Sequence, residues 1–162
     1  MKGPDSTEDH REEIGTALRS DRETREQARA IAATIRRAGG FRWVGIYGVG
    51  DANITALAWD GPGAPAYPSF PVDLGLCGAA VKSGATVVVD DVANDPRYLM
   101  TFGTTRSEMV VPVTRGDRVV ALIDVESDRV RAFADHDQAI VEQHGSAVVE
   151  LFAESEDPGR SV

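Results

Sequence analysis

Three acids interrupt an otherwise apolar stretch of the chain. Glu108 lies in Ser107-Glu108-Met109-Val110-Val111-Pro112-Val113, and Asp124 and Glu126 lie in the run from Arg118 to Asp128. Arg115-Gly116-Asp117 separates the two runs, so the pattern predicts a β-hairpin with glycine in its connection. Acids within strands this rich in Val and Ile either sit on a wet face or hold something. Asp124 and Glu126 share a face by the period of two. Whether Glu108 joins them depends on register. A two-residue turn at Arg115-Gly116 pairs Thr114 with Asp117 and places Glu108 opposite Ile123, on the other face from Asp124. A three-residue connection, or one bulge, pairs Thr114 with Arg118 and sets Glu108 directly opposite Asp124. Like charges so placed destabilise a sheet unless a cation, a shared proton or water compensates them. On pattern alone the default is three solvated acids, because charged side chains are mostly exposed.

The elements that would position this hairpin follow from the rest of the chain. At 162 residues it has one domain's worth of sequence, and 42% hydrophobic with 27% charged residues is ordinary for a globular fold. Residues 1–12 are polar, without an apolar period, and are expected to be disordered. A single domain is expected over 13–153, with a disordered polar tail over 154–162. A narrow, Ala-rich helical stripe starts at Ile14 and continues through Ala17, Leu18, Ala28, Ile31, Ala32 and Ile35, with a break expected near Ser20-Asp21. Gly39-Gly40 ends it. Phe41 to Val49 reads as a strand with Phe41, Trp43, Gly45 and Tyr47 on one face. A turn at residues 50–53 leads to a return strand, Ile54 to Trp59. A Pro/Gly loop, a short edge strand near Phe70 and Val72, a small helix over Gly75–Gly84 and a brief strand at Thr86–Val89 follow. The last helix opens at Phe133-Ala134-Asp135, with Asp135 expected as N-cap and Gln138 completing a capping box. Short connections between strands imply a mainly antiparallel α+β fold with helices gathered on one face.

Charge and residue counts exclude several functions. A net charge of −9 argues against nucleic-acid and anionic-membrane partners. No apolar run reaches the roughly 20 residues of a membrane span, and the first 13 residues carry no apolar signal segment, so a cytoplasmic setting is expected. One cysteine, Cys77, permits neither an intramolecular disulfide nor a cysteine metal cluster. The three histidines, His10, His136 and His144, lack metal-site spacing, and neither a metal nor a cofactor is expected. Cys77 has two readings. At the start of a short helix its thiol could be acidified by backbone N–H groups; alternatively it is a small buried apolar residue beside Leu76, Ala79 and Val81.

Taken in order, Phe-Arg-Trp-Val-Gly-Ile-Tyr (41–47), Leu-Gly-Leu-Cys-Gly-Ala-Ala (74–80), Asp-Asp-Val (90–92), Arg-Ser-Glu-Met-Val-Val-Pro-Val (106–113), Leu-Ile-Asp-Val-Glu-Ser (122–127) and Ala-Phe-Ala-Asp-His-Asp (132–137) resemble a GAF domain. Within that superfamily they resemble the free methionine-R-sulfoxide reductases, over about Phe41 to Phe152. The resemblance implies a six-stranded antiparallel sheet with N- and C-terminal helices on one face and a ligand pocket on the other. It implies that Glu108, Asp124 and Glu126, with Trp43 and Tyr47, form a ligand site, where carboxylates converging on an ammonium make strong charge-assisted bonds. The family's catalytic cysteine corresponds to Thr101 or a near neighbour, and its partner to about Tyr67; among the family's cysteine positions Cys77 alone is filled. A threonine hydroxyl cannot reduce a sulfoxide through a sulfenic acid as a thiol does.

The sequence therefore leads to a stand-alone GAF domain that binds a small metabolite, an amino acid or amine, as a non-catalytic sensor, with Thr101 joining the ligand site. The terminal helices are expected to support a homodimer. The alternative is a free methionine-R-sulfoxide reductase that uses Cys77 and an external thiol. Cyclic-nucleotide binding ranks last, because an acidic pocket opposes a phosphate and the Asn-Lys…Phe…Asp-Glu signature is missing.

Overall fold

The computed structural model describes residues 6–152, with side chains described for 21–152. Helix α1 runs Ser6–Gly39 without a break at Ser20-Asp21, so residues 6–12, expected to be disordered, are helical. The expected tail at 154–162 lies outside the described residues. Ala28, Ala32 and Ile35 recur at helical spacing and are fully buried, which fixes the face that α1 turns to the sheet. Gly40 ends the helix at φ +64°, the left-handed conformation that glycine adopts without a Cβ penalty.

Six strands follow: β1 (Trp43–Val49), β2 (Asn53–Asp60), β3 (Ser69–Pro71), β4 (Val87–Val89), β5 (Ser107–Arg115) and β6 (Arg118–Ser127). They form one sheet in the order β3-β2-β1-β6-β5-β4, and every neighbouring pair is antiparallel. The hairpin β5–β6 with β1 occupies its centre. Pro71 ends edge strand β3, where a missing N–H costs no ladder bond.

Alternation along these strands separates two cores. Val44, Ile46, Met109, Val111, Val113, Ala121, Ile123 and Val125 point to one face and pack with α1, α3 (Asp135–Glu142) and α4 (Gly145–Glu150). Trp43, Tyr47, Val110 and Leu122 point to the other and pack with Leu76, Cys77 and Ala80 of α2 (Gly75–Ser83). Phe41 precedes β1 and joins the helix-side core, its ring 5.9 Å from that of Phe133. The expectation that Phe41 shares a face with Trp43 fails because the strand geometry starts only at Trp43.

The C-terminal helix also departs from expectation. Its N-cap is Ala134, not Asp135, and Asp137 at the third helical position accepts from the Ala134 N–H at 2.8 Å. The acid that caps is thus the one that can turn back, and Gln138 instead donates to Glu142 at 2.7 Å. The helix divides at Gln143-His144, where the His144 ring lies 2.8 Å from the Ile140 carbonyl and competes with the next turn's ladder.

Candidate functional site

The hairpin register places all three acids on the pocket face. Gly116, at φ +62°, and Asp117 link the strands, so Arg115 pairs with Arg118. A bulge at Val113/Thr114 then leaves Val120 unpaired. Together these shift the pairing so that Glu108 lies directly opposite Glu126, and Asp124 opposite Val110. Neither expected register occurs: the turn lies one residue later, and the bulge adds one more step. The parity is that of the bulged alternative, so Glu108, Asp124 and Glu126 share one face.

That face is dry. Glu108 is 4% exposed, Asp124 2% and Glu126 1%, so solvated acids are not what the hairpin carries. Glu108 and Asp124 face each other closely, with one carboxylate oxygen of each within 4.8 Å of the other. The Thr105 hydroxyl donates to Glu126 Oε1 at 3.1 Å. Two buried oxygens, Asp124 Oδ1 and Glu126 Oε2, have no hydrogen-bond partner among the described residues. Uncompensated buried polar atoms are rare and costly, and mark places where a ligand, ion or water is held.

Burial sets the protonation of the group. It raises Asp124 to about 6. Burial, and then the Asp124 charge, raises Glu126 to about 9. Glu108 is pushed well up by burial, by Asp124 and by Glu126. The Cys77 thiol, buried among the same acids, is pushed well above its usual range, and so is the Tyr47 phenol. Of the two readings of Cys77, the structure matches the small buried residue: it is 5% exposed, and burial, then three neighbouring carboxyls, push its thiol up rather than down.

Trp43 and Tyr47, both 2% exposed, flank the acids from β1. Between them Gly45 pairs with Asp124. A Cβ at Gly45 would stand 2.9 Å from the Tyr47 ring and closer still to that of Trp43, so only glycine lets both rings lie over the strand. The Trp43 indole N–H donates to the Gly63 carbonyl at 3.2 Å. Its ring meets Phe102 edge-on with centroids 5.2 Å apart, and Tyr47 meets Phe70 at 6.0 Å.

The segment between Tyr98 and Arg106 covers the acids. Thr101 is half-buried, and beside it the Tyr98 hydroxyl donates to the Phe102 carbonyl at 3.5 Å. The residue from this segment that reaches an acid is Thr105, through its hydroxyl. Burial, and then the Glu126 charge, raises the Tyr98 phenol to about 12. Thr105, Tyr98 and Phe102 were not singled out from sequence. Nothing in the spacing distinguishes Thr105 from Thr101 or Thr104, because the segment is irregular. A cavity of about 20 Å³, bordered by Trp43, Phe102, Thr105 and Glu126, opens here, which is room for about one water.

A curved antiparallel sheet with the terminal helices on one face, and a covered polar cage on the other, is the architecture of a GAF domain. Residues 21–151 match the family model described as "GAF domain", and the chain belongs to that family. It is 29% identical, over 70% of its length and 71% of the relative's, to "GAF domain-containing protein A" of Dictyostelium discoideum. The type II free methionine-R-sulfoxide reductase of Thermoplasma acidophilum has a similar structure, with a TM-score of 0.76 at 28% identity over 82% of this chain and 94% of that one. The free methionine-R-sulfoxide reductase of Neisseria meningitidis, solved in complex with its substrate, gives 0.72 at 28% identity, over 80% of this chain and 77% of that one. Among the described residues no helix is long and apolar enough to cross a membrane.

Proposed function

We propose that this GAF domain binds a small ammonium-bearing metabolite, an amino acid or amine, and acts as a sensor without performing chemistry on it. The observation that carries this reading is the buried trio of acids with two oxygens left open, Asp124 Oδ1 and Glu126 Oε2. An ammonium supplies three N–H donors for the open acceptors and a positive charge that favours the ionised form of the buried acids. Trp43 and Tyr47 supply aromatic walls. The 20 Å³ space over Glu126 is smaller than any metabolite, so entry displaces the segment that carries Phe102 and Thr105. Ligand occupancy would then be reported by that segment, and passed on through a homodimer formed by the terminal helices.

A reductase reading has one observation in its favour, the likeness to free methionine-R-sulfoxide reductases. In that reaction the Cys77 sulfur would take the sulfoxide oxygen as a sulfenic acid, and two external thiols would return it to the thiol, releasing water and a disulfide. Against it stand a thiol kept protonated by burial and the lack of any other cysteine in the chain.

The experiment is thermal denaturation with a panel of free amino acids and amines, methionine and its sulfoxide included. A ligand at a hundred times its Kd is expected to raise Tm by about 5–10 °C, and Glu108→Gln and Asp124→Asn are expected to abolish the shift. A shift that survives both changes moves the site elsewhere. In parallel, methionine-R-sulfoxide with dithiothreitol should give no turnover; turnover that disappears in Cys77→Ser would establish the reductase instead.

A further inference from the structure

We propose that the pocket face also holds a thiol-selected divalent metal site, with Zn²⁺ as the best-fitting ion, formed by Cys77 of α2, Glu108 of β5 and Asp124 of β6. Their nearest donor atoms, one sulfur and two carboxylate oxygens, all lie within 4.8 Å of one another. Zinc sits about 2.3 Å from a thiolate sulfur and about 2.0–2.2 Å from a carboxylate oxygen, so a small contraction of this triangle encloses the ion. The three residues are 5%, 4% and 2% exposed, and they come from three separate elements that converge without a loop. Cys77 forms no disulfide.

An acidic cluster and a thiol would not suffice by themselves. The independent sign of a missing cation is the pair of orphaned buried acceptors: Asp124 Oδ1, on a residue of the triangle only 2% exposed, and Glu126 Oε2, two residues along the same strand face and only 1% exposed. Thr105 engages only the other oxygen of Glu126. Once these groups are ionised, a divalent ion compensates more of their charge than a single ammonium does. The thiolate decides the class of ion: Mg²⁺ and Ca²⁺ prefer oxygen ligands alone, whereas a sulfur donor favours Zn²⁺ or its spectroscopic substitute Co²⁺. Three protein donors leave a tetrahedral ion one further position, for water or for a donor atom of a bound small molecule. Binding exchanges the cation for the thiol proton and for any proton held by the two carboxyls, which leave to solvent.

This goes beyond the amine reading and does not depend on it. The two share Glu108 and Asp124, but only the metal requires Cys77. The test is titration of the full-length, untagged chain with Co²⁺, followed by displacement with Zn²⁺. The expected result is one equivalent of Co²⁺, a thiolate-to-cobalt charge-transfer band in the near ultraviolet, and loss of that band on adding Zn²⁺. Cys77→Ser should abolish the band, and Asp124→Asn should weaken binding by about tenfold or more. Thermal shifts given by an amine ligand should persist in Cys77→Ser. A missing band, or Co²⁺ affinity unchanged in both variants, overturns the metal site. Failure of the amine reading leaves this test intact, because the cobalt band is read without any metabolite.

Discussion

The two faces of the central hairpin are made by the same strands and could hardly differ more. On the helix side, Met109, Ile123 and Val125 are fully buried among other apolar side chains. On the pocket side, the intervening residues of the same strands are Glu108, Val110, Leu122, Asp124 and Glu126. The first face releases apolar surface from water, about 1.5–3 kcal/mol for each large side chain. The second desolvates three carboxyls and leaves two oxygens unpartnered. The period of two lets one hairpin carry both, so the stability of one face tolerates the cost of the other. Sites built for ligands commonly sit in such locally unfavourable arrangements.

The contrast can be broken from either side. The largest effect is expected from Ile123→Ala on the helix face, which should lower unfolding stability by about 2–5 kcal/mol in urea; a loss well below 1 kcal/mol would mean that this face is not close-packed. Gly45→Ala on the pocket face should cost about 1–3 kcal/mol, because the added methyl meets both the Trp43 and Tyr47 rings. A shifted tryptophan emission should accompany that loss, and unchanged emission would show that the rings do not close over Gly45.

The acids should behave in the opposite sense. Glu126 has its folded pKa raised to about 9 and Asp124 to about 6, both by burial first. Between its unfolded and folded pKa values each folded carboxyl holds more proton than the unfolded one, so stability falls as pH rises. The unliganded protein should therefore be more stable near pH 5 than near pH 8. Glu126→Gln should gain on the order of 1 kcal/mol at pH 8 and little at pH 5. A stability that rises with pH across this range would contradict the burial of these acids. The smallest effect is expected at the exposed Arg22–Glu26 pair of α1, 3.2 Å apart, where Glu26→Gln should change stability by less than about 0.5 kcal/mol.

Alternation made much of this legible in the residues themselves. The order of strands, the glycine stop at Gly40, the split between Trp43/Tyr47 and Val44/Ile46, and the shared face of Asp124 and Glu126 all follow from local chemistry. Register did not, because the turn at Gly116-Asp117 moves the pairing by two residues and the bulge beside Val120 by one more, without changing the apolar pattern. Burial of the acids was hidden for a related reason. A period-two pattern shows that acids share a face, but α2 and the segment around Thr105, distant in sequence, decide whether that face is wet. Thr105 rather than Thr101 reaches Glu126 because an irregular segment has no period from which to read its direction.

The central claim is that the acid-bearing face is a cation-binding pocket. Calorimetric titration of the full chain at pH 8 tests it most directly, using free amino acids and amines, each paired with its analogue lacking the amino group. At least one amine should bind one-to-one, its deaminated analogue should not, and the Glu108→Gln/Asp124→Asn double variant should lose the binding while remaining folded. No binding by any amine, or equal binding by the deaminated partner or by the double variant, would contradict the account.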